Sequence, residues 1–472
     1  MDNIATVKSG SVKHPLVSES WIFPLIQVYK YENELSQNKN TTQSFNNLKN
    51  QLLVLRHTFK WYNFSLLSKY KFSLVDILIL SRSSARRYIR GEYFDIFTDY
   101  LPELLPGKTM FKLELPNLQI DHYRRINNKI DTYYLAGDTQ LLHLQAKLTN
   151  SILLNGLAHT KNEYLVNIDH TFRRRIYKFN LFFNYFHKWI VRLRPKCVII
   201  IDSYSVSGFA LTYAAKYYGI PVIELQHGLL HPEHPGYIYH HGVNRKLFPD
   251  YYFSYGEYST QLLIKQSDMF DKTKIKTVGF YHLTQLDHTS SHKAIDVLRK
   301  WIGNDEVVLV TSQATVHERL MNFLNDKTVT RLQGVKIVVK LHPGQIKAGA
   351  SVFEYLNQNI CVVAEPELSL NDLIGISKIH ITVYSTSFMQ ALYNGLPSIF
   401  LDIKPYTKKI LDHIDNQSTF LAGSGEVLRI QIKKILENYP VFQARAFKKA
   451  SWYYEKNPGK RLSEELGKII GA

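Results

Sequence analysis

Cysteine is scarce: the 472 residues include two, Cys197 and Cys361, each inside an apolar run. Two isolated thiols exclude a disulfide framework and offer no metal-ligand spacing, so both read as buried structural residues of a reducing compartment. No apolar run approaches the roughly 20 residues needed to cross a bilayer. The opening Met1-Asp2-Asn3-Ile4-Ala5 lacks the basic start and apolar stretch of a secretory leader. These features predict a cytoplasmic protein whose membrane contact, if any, is peripheral at the inner face of the plasma membrane. No fixed-period repeat and no nucleic-acid-binding module is evident. There is also no Asp-x-Asp pair of the kind that holds a divalent ion beside a diphosphate.

Acidic residues are in deficit. Lys and Arg number 58 against 40 Asp and Glu, a formal charge of +18. That balance suits an anionic substrate or membrane surface. The length exceeds one ordinary core and implies several domains. Hydrophobic periodicity predicts an α/β protein with two Rossmann-like halves facing a cleft. The expected divisions are a helical N-terminal extension at 1–70, a first Rossmann-like domain with a helical insertion at 71–290, a second Rossmann-like domain at 291–440, and C-terminal helices at 441–472 that pack across both. In the first half, strands are expected at 75–80, 197–201 and 221–225, with a helix at 208–218. In the second half they are expected at 306–310, 335–341, 360–364, 379–383 and 398–401.

Polar residues cluster where these strands end, and open α/β sheets bind ligands at carboxyl ends. Val338-Val339-Lys340-Leu341-His342-Pro343-Gly344 is one such ending; Lys340 and His342 alternate and share a side. Tyr384-Ser385-Thr386-Ser387, where a strand meets a helix start, is another, and hydroxyls plus backbone N–H groups there suit a phosphate. Thr311, Ser312 and Gln313 follow a third strand, and Glu367 a fourth, as further candidate donor contacts. In the first half Asp202 ends one strand, and the next runs into Gln226-His227-Gly228 and a loop containing Glu233. His227, Asp202 or Glu233 are candidates for the base that takes a proton from an acceptor, and His342 for stabilising a leaving phosphate. Gln226 and Gly228 are expected on the acceptor side, Gly228 because backbone approaches substrate there. His227, His231, His234, His240 and His241 crowd together, but without helical spacing or companion Cys they predict no metal site. The segment 173–194 interleaves Arg and Lys with aromatics and reads either as a membrane-facing stretch or as a core helix with a basic outer face.

At these motifs the chain resembles the GT-B glycosyltransferases of bacterial surface-polysaccharide assembly, for capsule or lipopolysaccharide. Lys340-Leu341-His342-Pro343 with Ser385-Thr386-Ser387 is similar to the His-Pro and Ser-Ser-type motifs of bacterial sialyl- and polysialyltransferases, which bind a CMP-sugar. Gln226-His227-Gly228 is similar to the His-Gly element of CDP-glycerol glycerophosphotransferases, with Gln226 at a Trp position. The resemblance implies an inverting, metal-independent and cofactor-free transfer from a nucleotide sugar, CMP-linked by preference and UDP- or CDP-linked otherwise, to a glycan or lipid-linked glycan. A sugar-nucleotide 2-epimerase of the same fold is the alternative enzyme. A basic membrane- or nucleic-acid-binding protein is the non-enzyme alternative, and no nucleic-acid partner is expected.

Overall fold

The computed structural model describes residues 74–89, 92–115, 129–135, 138–139, 142–143, 170–240, 244–285, 293–342, 345, 353–364 and 368–471. The expected N-terminal extension, His241, Pro343, Gly344 and Glu367 lie outside these residues.

Two seven-stranded sheets form the frame. The first runs β5(Asp131–Tyr134)–β4(Met110–Leu115)–β1(Ile77–Arg82)–β6(Cys197–Ile200)–β7(Val222–Leu225)–β8(Tyr251–Ser254)–β9(Ile275–Thr277) and is parallel throughout. The second runs β12(Phe353–Tyr355)–β13(Ile360–Val363)–β11(Val335–Lys340)–β10(Glu306–Thr311)–β14(Ile379–Thr382)–β15(Ser398–Leu401)–β16(Thr419–Ala422). Here the edge strand β12 alone is antiparallel to its neighbour. Strands buried on both faces need apolar runs, and Cys197–Ile200 and Ile360–Val363 are buried at every position. Each chain path starts mid-sheet, builds outward one way and then the other. The order therefore reverses between β1 and β6, and again between β10 and β14.

The 24-residue helix His170–Leu193 is a core helix. Phe179, Phe182, Phe183, Phe186 and Trp189 are buried in the first domain's core, so this aromatic row packs inward and cannot meet a membrane. Beyond β1 the chain forms a hairpin, β2(Arg86–Ile89) pairing with β3(Glu92–Asp95). It is anchored from below. Arg86 forks onto Glu114 at 2.7–3.1 Å, and Lys112 reaches Asp95 at 3.1 Å and also Asp99, all of them fully buried. Removing one partner of such a group strands a buried charge, which costs about 3–5 kcal/mol. Side chains alternate along a strand; with Arg86 turned into this network, Arg87 is left exposed at the sheet's carboxyl edge.

The C-terminal helices join the halves. Helix Tyr439–Tyr453 buries Ala446, Ala450 and Tyr453 against Phe388, Met389 and Leu392 of the second domain. The chain then crosses over, Glu455 N–H donating to Tyr255 O at 2.9 Å. Helix Pro458–Gly471 buries Leu462, Leu466 and Ile470 with Ile77, Ile79 and Ile199 of the first domain.

Candidate functional site

The two order reversals mark where a ligand sits between strand ends, and the structure turns these ends toward each other. Lys408 of the second domain pairs with Glu233 of the first at 2.7 Å. The Arg87 charge is also felt at His342 across the gap: partial desolvation and then that charge lower the His342 imidazole pKa. The Arg87 guanidinium is steadied by Ser84 O and Arg86 O at 2.7 and 2.8 Å.

On the first-domain wall, His227 lies between two tyrosines. Tyr204 Oη is 3.3 Å from Nε2 and Tyr237 Oη is 3.4 Å from Nδ1. Burial holds its pKa below the ordinary imidazole value, so at neutral pH it is an uncharged base. Tyr237 donates onward to Glu224 Oε1 at 2.6 Å, and Glu224 also accepts from Ser203 N–H at 3.1 Å and Ser203 Oγ at 2.5 Å. Burial nevertheless pushes Glu224 up to about 8. A carboxyl whose folded pKa exceeds its unfolded one contributes stability in full below the unfolded value, near 4.5, and loses it as pH rises through about 8. The melting temperature is therefore expected to fall between pH 5 and 8, and Glu224→Gln to flatten that slope. The slope at stake is up to about 1.4 kcal/mol per pH unit.

Three expectations for this wall are revised. Asp202 is ion-paired: Oδ2 meets Arg82, each at its strand's end beside the order reversal, while Oδ1 is buried without a hydrogen-bond partner. Gln226 is a buried brace, its Nε2 donating to Gly228 O at 2.9 Å and its Oε1 accepting from Tyr255 N–H at 2.8 Å. Gly228 has open space where a Cβ would stand, so crowding does not require glycine there. Gly236 is the constrained one, since a Cβ would meet the Tyr204 ring at 2.6 Å. Gly236→Ala is expected to cost about 1–3 kcal/mol by overpacking, whereas Gly228→Ala should leave unfolding by denaturant unchanged. Glu233 is exposed and engaged with Lys408, linking the domains at the rim. His231 and His234 sit 5.3 Å apart by ring centroid with pKa values lowered mainly by burial, His231 to about 4. Among the described residues no three His, Cys, Asp or Glu side chains gather to hold a metal.

On the second-domain wall, His342 is exposed and its backbone N–H is held by Gln345 Oε1 at 3.0 Å. Lys340 turns back, donating to Leu368 O at 2.6 Å. The hydroxyl turn divides its labour. Ser385 and Thr386 are partly exposed, Ser385 Oγ accepting from Ser387 N–H at 3.2 Å. Ser387 and Thr311 are buried and spent on His380: Thr311 Oγ1 is 2.7 Å from Ser387 Oγ, and each is within 3.2 Å of His380 Nε2. These two hydroxyls brace β10 against β14 instead of facing ligand. Ser312 is likewise buried, bonded to His317 Nδ1 at 2.9 Å. Gln313 Oε1 accepts from Tyr384 N–H at 3.1 Å and so positions the turn. Tyr384 stacks on Tyr406 at 4.8 Å and 8°, with Lys409 over Tyr384 at 5.1 Å.

Sequence reasoning missed Arg87, Tyr204, Tyr237, Glu224 and His380. Glu224 and His380 had a signal: each is a polar residue inside an apolar run, which a buried strand tolerates only with partners. A cavity of about 580 Å³ lined by Glu257, Lys276, Thr277, Tyr454, Glu455 and Arg461 lies at the C-terminal crossover, beside the edge strand β9 and away from the two order reversals.

No family model and no curated protein matches the sequence. Solved structures do match the fold. A candidate UDP-N-acetylglucosamine 2-epimerase from Listeria monocytogenes superposes with a TM-score of 0.53 at 13% identity, over 84% of this chain and 96% of that one. MnaA of S. aureus with UDP gives 0.51 at 13% identity, over 84% and 97%. UDP-GlcNAc 2-epimerase from Methanocaldococcus jannaschii gives 0.50 at 13% identity, over 83% and 99%. At such identity the likeness is one of architecture: two Rossmann-like domains of GT-B type.

Proposed function

We propose that the chain is a GT-B enzyme that moves a sugar from a nucleotide-activated donor to a surface-polysaccharide acceptor. What supports this reading is that His227, held between two tyrosines, lies on one strand-end wall and His342, Ser385 and Thr386 on the other, the two walls being linked at the rim by Glu233 and Lys408. The donor phosphate would meet Ser385, Thr386 and the His342 imidazole, with Arg87 supplying positive charge from across the cleft. Because His342 is itself uncharged at neutral pH, its part is a hydrogen bond to the leaving oxygen rather than a full proton. His227 would take the acceptor's hydroxyl proton. That oxygen attacks the anomeric carbon, the carbon–oxygen bond to phosphate breaks, and the electron pair leaves on the phosphate with inversion. The MnaA structure contains UDP; for this chain the motifs favour a CMP-sugar, with UDP and CDP donors next.

Mass spectrometry on reactions with CMP-, CDP-, UDP- and GDP-sugars, with and without a glycan acceptor, tests this reading. Expected are free nucleotide and a heavier acceptor only when both substrates are present, and no loss of rate in EDTA. A changed sugar isomer formed without acceptor would identify an epimerase. Activity abolished by EDTA and restored by a divalent ion would refute metal independence.

A further inference from the structure

The helix Tyr439–Tyr453 carries apolar side chains on the wrong face. Phe442, Ala446, Ala450 and Tyr453 form its buried side. At 3.6 residues per turn the opposite arc collects Val441, Ala444, Arg445, Phe447, Lys448, Ser451 and Trp452, all exposed. Val441 and Phe447 are 50% exposed and Trp452 43%, large apolar groups beside two cations that the fold covers only in part, Phe447 by an edge of its ring against Gly395. The helix contains no Asp or Glu. Its third cation, Lys449, lies between the two sides and is paired with Asp415 at 3.3 Å. Just beyond the C-terminal end Lys456 adds another exposed positive charge; the flanking carboxylates are Glu437, exposed, and Glu455, half-buried.

We infer that this face seats the protein on an anionic lipid bilayer, with Trp452, Phe447 and Val441 entering the interface and Arg445 and Lys448 meeting lipid phosphates. Charge decides the occupant. Two copies joined face to face by a two-fold axis would set Arg445 and Lys448 against their own images without a carboxylate on either helix to offset them. An anionic surface offers the opposite charge, and Trp favours the depth where headgroups meet acyl chains. The chain's charge of +18 draws it the same way. This reading is independent of the reaction proposed for the cleft. It also moves the membrane-facing role from the segment 173–194, whose aromatics are core, to a different helix.

Flotation of the full chain with phosphatidylglycerol/phosphatidylcholine vesicles, against pure phosphatidylcholine, tests it. Binding is expected to the anionic vesicles, to weaken with salt, and to fall about tenfold or more in Arg445→Glu/Lys448→Glu. Trp452→Ser alone should weaken it several-fold, and thermal melting should confirm that each variant is folded. No flotation with anionic vesicles, or equal flotation of the folded variants, overturns the inference. So does sedimentation showing a dimer that these substitutions dissociate in a protein that ignores vesicles, because the face would then be a self-contact.

Discussion

His227→Gln is expected to slow sugar transfer by about 10²–10⁴-fold, the range for losing a positioned general base, while donor affinity stays within a few-fold of the parent. The amide keeps hydrogen-bonding capacity toward Tyr204 and Tyr237 but takes no proton, so packing loss and chemical loss separate. The division follows from where the groups sit: His227 follows β7 in the first domain, and the donor phosphate is assigned to the second. A stopped assay under single-turnover conditions, with calorimetric nucleotide binding on the same preparation, gives both numbers. The pH profile adds a sign. A base must be uncharged, and burial lowers the His227 pKa, so the acid limb of the rate should lie below the ordinary imidazole range near 6.5. Full transfer by folded His227→Gln would remove this residue from the chemistry.

His342→Ala should weaken nucleotide binding and slow transfer together, by roughly 10²-fold or more in kcat/KM, since a partner of the leaving oxygen acts in the bound state and at the transition state. Its surroundings argue against a structural explanation for such a loss. The side chain is exposed, and the turn is held by its backbone N–H through Gln345, which alanine retains. Thermal stability is therefore expected to change little. A folded variant with parental kcat/KM would contradict the assignment.

How much of this was legible in the sequence follows from which forces are local. The apolar runs of β6, β7, β11, β14 and β15 announced parallel strands, and their polar ends announced the cleft, because burial on two faces leaves few other compositions. β4 did not read that way. Met110-Phe111-Lys112-Leu113-Glu114-Leu115 alternates like a half-exposed strand, yet Lys112 and Glu114 are fully buried. Their partners Asp95, Asp99 and Arg86 come from a hairpin and turn that sequence spacing cannot bring together. The same gap explains the errors at the site. Thr311 and Ser387 look like phosphate ligands in one dimension, but His380, which absorbs both, reaches them only when β10 and β14 pair. Asp202 meets Arg82 only because β6 lies beside β1. Arg87 cannot be told from its neighbour Arg86 in one dimension, and only the fold turns Arg86 into the buried network and leaves Arg87 exposed.

The central claim is that a nucleotide occupies the gap between the two strand-end walls, touched by both domains. Isothermal titration of CMP, CDP and UDP into the parent chain, His342→Ala and Arg87→Ala tests it most directly. Saturable binding of at least one nucleotide, weakened about tenfold or more by each substitution as expected for a lost charged or hydrogen-bonded phosphate contact, is the predicted result. Binding of no nucleotide, or binding indifferent to both substitutions in folded proteins, would contradict it.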